Sequence, residues 1–237
     1  MGRALHFPGM FLLLGSFVLL VLVSVSLPWM PPLDFVRVHF VNGTVTTSLD
    51  ANNTAELRFG AWADCWYETS GTGLVCSSAG YAYNTTVYSK TESGNSTSIN
   101  IGPSWTRGLA IHPVAAGVTL IAFLLSLSAH VTMILLTSLA TFVGGVITLV
   151  AFAVDIALLA YVKHEMGQLA DVSVAVNPAP GFWMTFASFL ALMVAGGAIC
   201  LGRRRDRMAG ATSYPMASSK VSRSWRDRFL NSNNDGA

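Results

Sequence analysis

From Gly108 to Val154 the chain carries no Lys, Arg, Asp or Glu, and the first acid beyond that gap, Asp155, is itself embedded in apolar sequence. A helix crossing the hydrocarbon core of a bilayer needs roughly 20 mostly apolar residues, because that core is about 30 Å thick. The gap therefore has room for two spanning helices, residues 108–129 and 131–162, with a tight link at His130. Inside lipid no water solvates the backbone, so each segment must satisfy its own amides as a helix. Similar apolar runs occupy residues 10–29 and 182–202. A composition that is 52% apolar and only 11% charged fits this reading. The expected fold class is an all-α membrane protein built as a four-helix transmembrane bundle.

Basic residues orient the bundle. Arg203, Arg204, Arg205 and Arg207 follow the last run directly, and Arg223, Arg226 and Arg228 extend a basic tail. Basic residues flanking spans face the cytosol, so the tail, residues 203–237, is expected there, along with residues 1–9. The same four arginines can attract anionic headgroups at ~1 kcal/mol per basic residue. Cys200 at this end of the last span has two open readings, a buried small residue or an S-palmitoylation site. The tail beyond Arg203 is small, polar and basic, and disorder is expected there.

The opposite side is marked by acceptor sequons at Asn42, Asn52, Asn84 and Asn95, all within residues 30–107. Cys65 and Cys76 share that segment, where an oxidising compartment permits a disulfide between them. Residues 30–107 are thus expected to be an extracellular loop folded as a small module. Within it, residues 35–41 alternate as a half-buried strand, Asn42-Gly43 signals a hairpin, and residues 44–49 supply a return strand. Residues 55–62 read as a third strand. Residues 83–100, rich in Ser, Thr, Asn and Gly, are expected to be a mobile loop. A second outer loop, residues 163–181, ends in a turn at Asn177-Pro-Ala-Pro. Residues 10–29 form either a retained span, with Trp29 as an interfacial anchor, or a cleaved signal peptide. Myristoylation is excluded, since His6 stands where Ser or Thr is wanted.

Three stretches carry a family likeness. Ile111-His-Pro-Val-Ala-Ala-Gly, Ile121-Ala-Phe-Leu-Leu-Ser-Leu-Ser-Ala-His and Thr148-Leu-Val-Ala-Phe-Ala-Val-Asp-Ile-Ala-Leu closely resemble the PalI family of fungal membrane proteins. Phe59-Gly-Ala-Trp before Cys65, with Cys76-Ser-Ser-Ala-Gly-Tyr81 after it, is similar to that family's outer-loop cysteine motif. The resemblance implies a four-span plasma-membrane protein of the response to ambient alkaline pH, assisting a larger multi-span sensor. The layout is also similar to claudins and to fungal cortical-patch tetraspans, which implies the alternative of a structural protein that self-associates in the membrane. On either likeness the module is a claudin-like, disulfide-linked, β-containing first extracellular loop.

Asp155 is the ionisable residue whose place needs a reason. It should lie at the depth of His112 on the neighbouring antiparallel helix, and an acid in lipid normally faces the bundle, paired. Such a pair can titrate near neutral pH; the alternative is a carboxyl that accepts bonds from Ser or Thr hydroxyls and fixes packing. Trp62 and Trp66 read either as core or as a surface for a partner or headgroups. The net charge of +2 is too small to argue for nucleic acid. Neither a metal-ligand cluster, a phosphate-cradling glycine loop nor a nucleophile beside a base is evident. No enzyme, cofactor or small-molecule substrate is expected, and one acid with one histidine is too few for a transport path. The expected partners are membrane lipids and either a sensor or a second copy.

Overall fold

The computed structural model describes residues 3–41, 43–47, 52–71, 73–90, 96–128 and 131–212, without the side chains of 3–7, 131, 134 and 200–212. In chain order the elements are α1 (Arg3–Ser24), β1 (Val36–Phe40), β2 (Thr44–Thr47), β3 (Thr54–Phe59), β4 (Asp64–Glu68), β5 (Leu74–Cys76), β6 (Thr85–Lys90) and β7 (Ser96–Ile101). A one-turn helix α2 (Pro103–Thr106) and a 3-10 turn then lead to α3 (Ile111–Ser126), α4 (Val131–Met166), β8 (Val174–Pro178) and α5 (Pro180–Thr212).

Three helical segments, Pro103–Ser126, Leu135–Met166 and Pro180–Ile199, are long and apolar enough to cross a membrane. The apolar part of α1, Pro8–Ser24, is shorter. The long helices close a ring in which α1 packs on α3 and α5, and α4 packs on the same two. Its core is built from Leu13, Leu20, Ala115, Ala122, Leu192 and Ala195, all essentially inaccessible. Hydroxyls in the bundle largely bond to their own helix, as Thr119 does to the Ala115 carbonyl (2.8 Å) and Thr148 to Gly144 (2.8 Å). They therefore solvate themselves and add little adhesion between helices.

The chain is not an all-α bundle: among the described residues eight strands form two antiparallel sheets at one end of it. One sheet has the order β5-β4-β3-β1-β8 and the other β2-β6-β7. The outer-loop segment is long enough to fold independently of lipid rules, and its β-branched, period-two stretches do so as strands. β1, β2 and β3 fall on the three expected strands, 35–41, 44–49 and 55–62. Three expectations fail. The Asn42-Gly43 hairpin does not form, because β1 pairs with β3 and β8 while β2 pairs with β6. Gly43, at φ 90°, instead turns the chain against Asp171, whose carbonyl oxygen would lie 2.9 Å from a Cβ there. Residues 85–90 and 96–100 are strand rather than loop, since β6 and β7 pair from Thr85↔Ile101 to Lys90↔Ser96, and residues 91–95 lie outside the described residues. Thr85, Val87 and Ser89 point inward in alternation, a strand pattern that polar composition masks. The second outer loop contributes β8, which completes the larger sheet alongside β1. At the other end, α5 runs past Arg203–Arg207 to Thr212 rather than stopping at 202; residues beyond Thr212 and His130 lie outside the described residues.

The two sheets and the bundle share one core. Val38, Leu57 and Trp66 from the larger sheet and Val45, Val87 and Ile99 from the smaller meet Leu158, Val162 and Met166 of α4. Burying such side chains contributes roughly 1.5–3 kcal/mol each, so the last turns of α4 belong energetically to the β module.

Candidate functional site

The joint between module and bundle is packed at backbone contact. A Cβ at Gly108 would stand 2.7 Å from Val154 Cγ1, and one at Gly181 2.7 Å from the Asp34 carbonyl oxygen. The Gly108 approach brings the 3-10 turn before α3 against α4 one residue before Asp155. His112 and Asp155 then meet, Nε2 to Oδ2 at 3.3 Å, with neither side chain accessible. A third helix joins them: the Thr185 hydroxyl of α5 is 3.3 Å from His112 Nε2 and donates to the Gly181 carbonyl at 3.1 Å. From above, the Phe35 ring tilts over the imidazole with centroids 4.8 Å apart. Phe35 is pinned by backbone bonds to Phe59 and Ala179.

Proton accounting limits what this centre can be. His112 Nδ1 lies 2.8 Å from the Leu109 carbonyl, an acceptor only, so that nitrogen carries its hydrogen. The Nε2–Oδ2 contact then needs one shared proton, held either as imidazole with carboxylic acid or as imidazolium with carboxylate. Both forms are neutral overall, which is what a fully buried pair between apolar helices requires. Chemically it is a latch with one proton, tying α3, α4, α5 and the segment before β1. Among the described residues, no group of three or more His, Cys, Asp or Glu could hold a metal.

Other singled-out residues lie in the module. Cys65 and Cys76 face each other across β4 and β5 and are bonded, S–S 2.05 Å. Asn84 is exposed between buried Tyr83 and Thr85, and Asn52 is exposed with its amide donating to Glu68 at 3.0 Å. Asn42 and Asn95 lie outside the described residues. Trp66 is buried in the shared core, whereas the Trp62 indole donates to the Ser24 carbonyl at 2.7 Å, tying the module to α1. Cys200, Arg203, Arg204, Arg205 and Arg207 sit on α5, their side chains outside the described residues.

The sequence reading overlooked a charged cluster on the outward face of the larger sheet. Arg37 donates to both Asp34 oxygens at 3.0 and 2.8 Å, and the bond to Asp34 holds its guanidinium above the usual arginine range. Glu56 accepts from Arg58 at 2.6 Å and lies 3.3 Å from Arg37 and 3.4 Å from His39. The two-residue spacing of Arg37 with His39 and of Glu56 with Arg58 is the signal that could have revealed it. On the inward side, burial pushes the Asp64 carboxyl up from its ordinary value, opposed by the Ser77 hydroxyl donating at 2.6 Å. Tyr83 is likewise pushed up by burial, helped by the Asp64 charge, while its hydroxyl donates to Gly60 at 2.8 Å.

No curated protein matches this chain. A family does, over residues 5–195, a stretch that includes nearly all of α1, both sheets, the latch and about the first half of α5. With helices long and apolar enough to pass through a bilayer more than once, the chain is a multi-pass membrane protein and belongs to the SUR7/PalI family.

Proposed function

We propose that the protein is a non-enzymatic plasma-membrane component of ambient alkaline-pH signalling, which binds a multi-span sensor and stabilises it at the surface. In this reading both termini are cytosolic, and the β module is extracellular and glycosylated at Asn42, Asn52, Asn84 and Asn95. The observation that carries it is the His112–Asp155–Thr185 latch. It is a buried, proton-dependent contact at the point where the module meets three helices. A change in its proton count would be felt by the module and by the bundle together.

The test is Asp155→Asn in cells. Asparagine can donate its amide to His112 Nε2 and keep the helices together without titrating. Normal surface levels with impaired growth at alkaline pH and reduced sensor at the surface are expected. Wild-type pH signalling at normal surface levels ends the sensing role of Asp155. The family's other pole is a cortical, self-associating organiser. Deletion that alters membrane patches or wall while pH signalling stays intact favours that reading instead.

A further inference from the structure

At the end of the bundle away from the sheets, an open groove of about 490 Å³ lies between α4 and α5. Leu135, Leu139 and Phe142 form one wall, and Met193, Gly196 and Gly197 the other. Its size is that of a site for one small apolar ligand, for which about 300–1,000 Å³ is usual. The glycines are not equivalent. Gly145 and Gly196 let the helices approach, with Met193 Cε at 3.2 Å and Thr141 Cγ2 at 3.6 Å from their would-be Cβ atoms. Gly197 has nothing within 4 Å, so its missing side chain opens the groove rather than closing the helix pair.

What lies beyond the groove is charge. Seven residues on from Gly196 and Gly197, Arg203 and Arg204 continue the same row of α5, about 10 Å further along the axis. Arg205 and Arg207 follow, with Asp206 between them, so the run Arg203–Arg207 carries a net charge of about +3. The N-terminal end of α4, at Val131, opens at this same end of the bundle, and its partial positive charge acts in the same sense. An apolar trough followed along the same helix by a basic run matches one amphiphile with an apolar tail and an anionic head.

We propose that the α4–α5 groove binds one anionic phospholipid, an acyl chain lying along Gly197 and Phe142 and the phosphate headgroup held by Arg203 and Arg204. The lipid is then a defined component of the protein rather than part of a diffuse surrounding layer. A second copy of the chain would bring another apolar helix to the trough, but its own Arg203–Arg207 run, net positive despite Asp206, would meet like charge there.

The full-length protein, taken from phosphatidylcholine vesicles doped with a minority of phosphatidylserine, is released into the gas phase for native mass spectrometry. One phosphatidylserine per chain should be retained, enriched about tenfold over its share of the vesicle, as one or two basic contacts predict. Gly197→Leu, which fills the trough, and the double variant Arg203→Gln/Arg204→Gln should each abolish the enrichment. Gly117→Leu should not, since Gly117 on α3 also has nothing within 4 Å and lies elsewhere. Equal retention of both lipids by the wild type overturns the proposal. So does enrichment that survives Gly197→Leu, which assigns the effect to the arginines alone. A wild-type dimer that Gly197→Leu dissociates overturns it in favour of a second copy.

Discussion

Replacing His112 with leucine strands the Asp155 carboxyl, whose Oδ2 loses the imidazole at 3.3 Å while both side chains are inaccessible. Removing one partner of a buried pair costs about 3–5 kcal/mol, and each 1.4 kcal/mol is roughly a factor of ten in the folding equilibrium. Asp155→Leu is milder, about 1–3 kcal/mol, because the Thr185 hydroxyl, 3.3 Å from His112 Nε2, can turn from the Gly181 carbonyl to donate to it. The double variant His112→Leu/Asp155→Leu leaves neither group unpaired and buries two apolar side chains of suitable size. It should return to within about 2 kcal/mol of the wild type, since exchanging a buried pair for apolar residues is often neutral. A coupling of about 2 kcal/mol or more therefore emerges from the cycle. The assay is equilibrium unfolding in detergent micelles followed by tryptophan fluorescence. Losses that add in the double variant to within about 0.5 kcal/mol would refute the latch, because independent sites behave that way.

A difference in pH dependence is expected for Asp64→Asn. Burial raises the Asp64 pKa in the folded state, so the folded chain binds that proton more tightly than the unfolded chain. Its contribution to stability is therefore fully present below the ordinary carboxyl pKa and declines as pH rises through the raised value. Relative to the variant, the wild-type thermal midpoint should fall as pH rises above the ordinary carboxyl pKa of about 4; parallel curves would contradict this. Gly60→Ala should cost about 1–3 kcal/mol, because its Cβ would overlap Leu27 Cβ. Gly15→Ala, with nothing within 4 Å, should cost nothing in the same unfolding measurement. Cys76→Ser should cost the module about 2–4 kcal/mol, read as a lower protease concentration needed to cut residues 30–107 while the helices stay intact.

The helices were legible because absence of charge over such a length has few alternatives to a membrane span. The latch was half legible. A lone acid in apolar sequence announces itself, and antiparallel geometry brings it level with His112. Thr185 and Phe35 did not announce themselves, since hydroxyls and rings are common and these reach the site from elements 73 and 77 residues away from His112 in sequence. The β content was under-read for a specific reason. Residues such as Thr85 and Ser89 carry strand alternation in side chains that composition assigns to loops. Pairing was harder still: Asn42-Gly43 has hairpin chemistry, yet the edge of β1 is taken by Val174–Pro178 from the far side of α4. Local sequence does not encode which distant strand will occupy an edge.

Helix α4 has 36 residues, a rod about 54 Å long at 1.5 Å per residue, well beyond a hydrocarbon core of about 30 Å. Its final turns end in the core of the sheets through Leu158, Val162 and Met166. Helices adjust to bilayer thickness by tilting, and a rod of this length swings its far end by about 9 Å for a tilt change of about 10°. Because that end is packed into the core of the sheets, any tilt of α4 would carry the sheets with it.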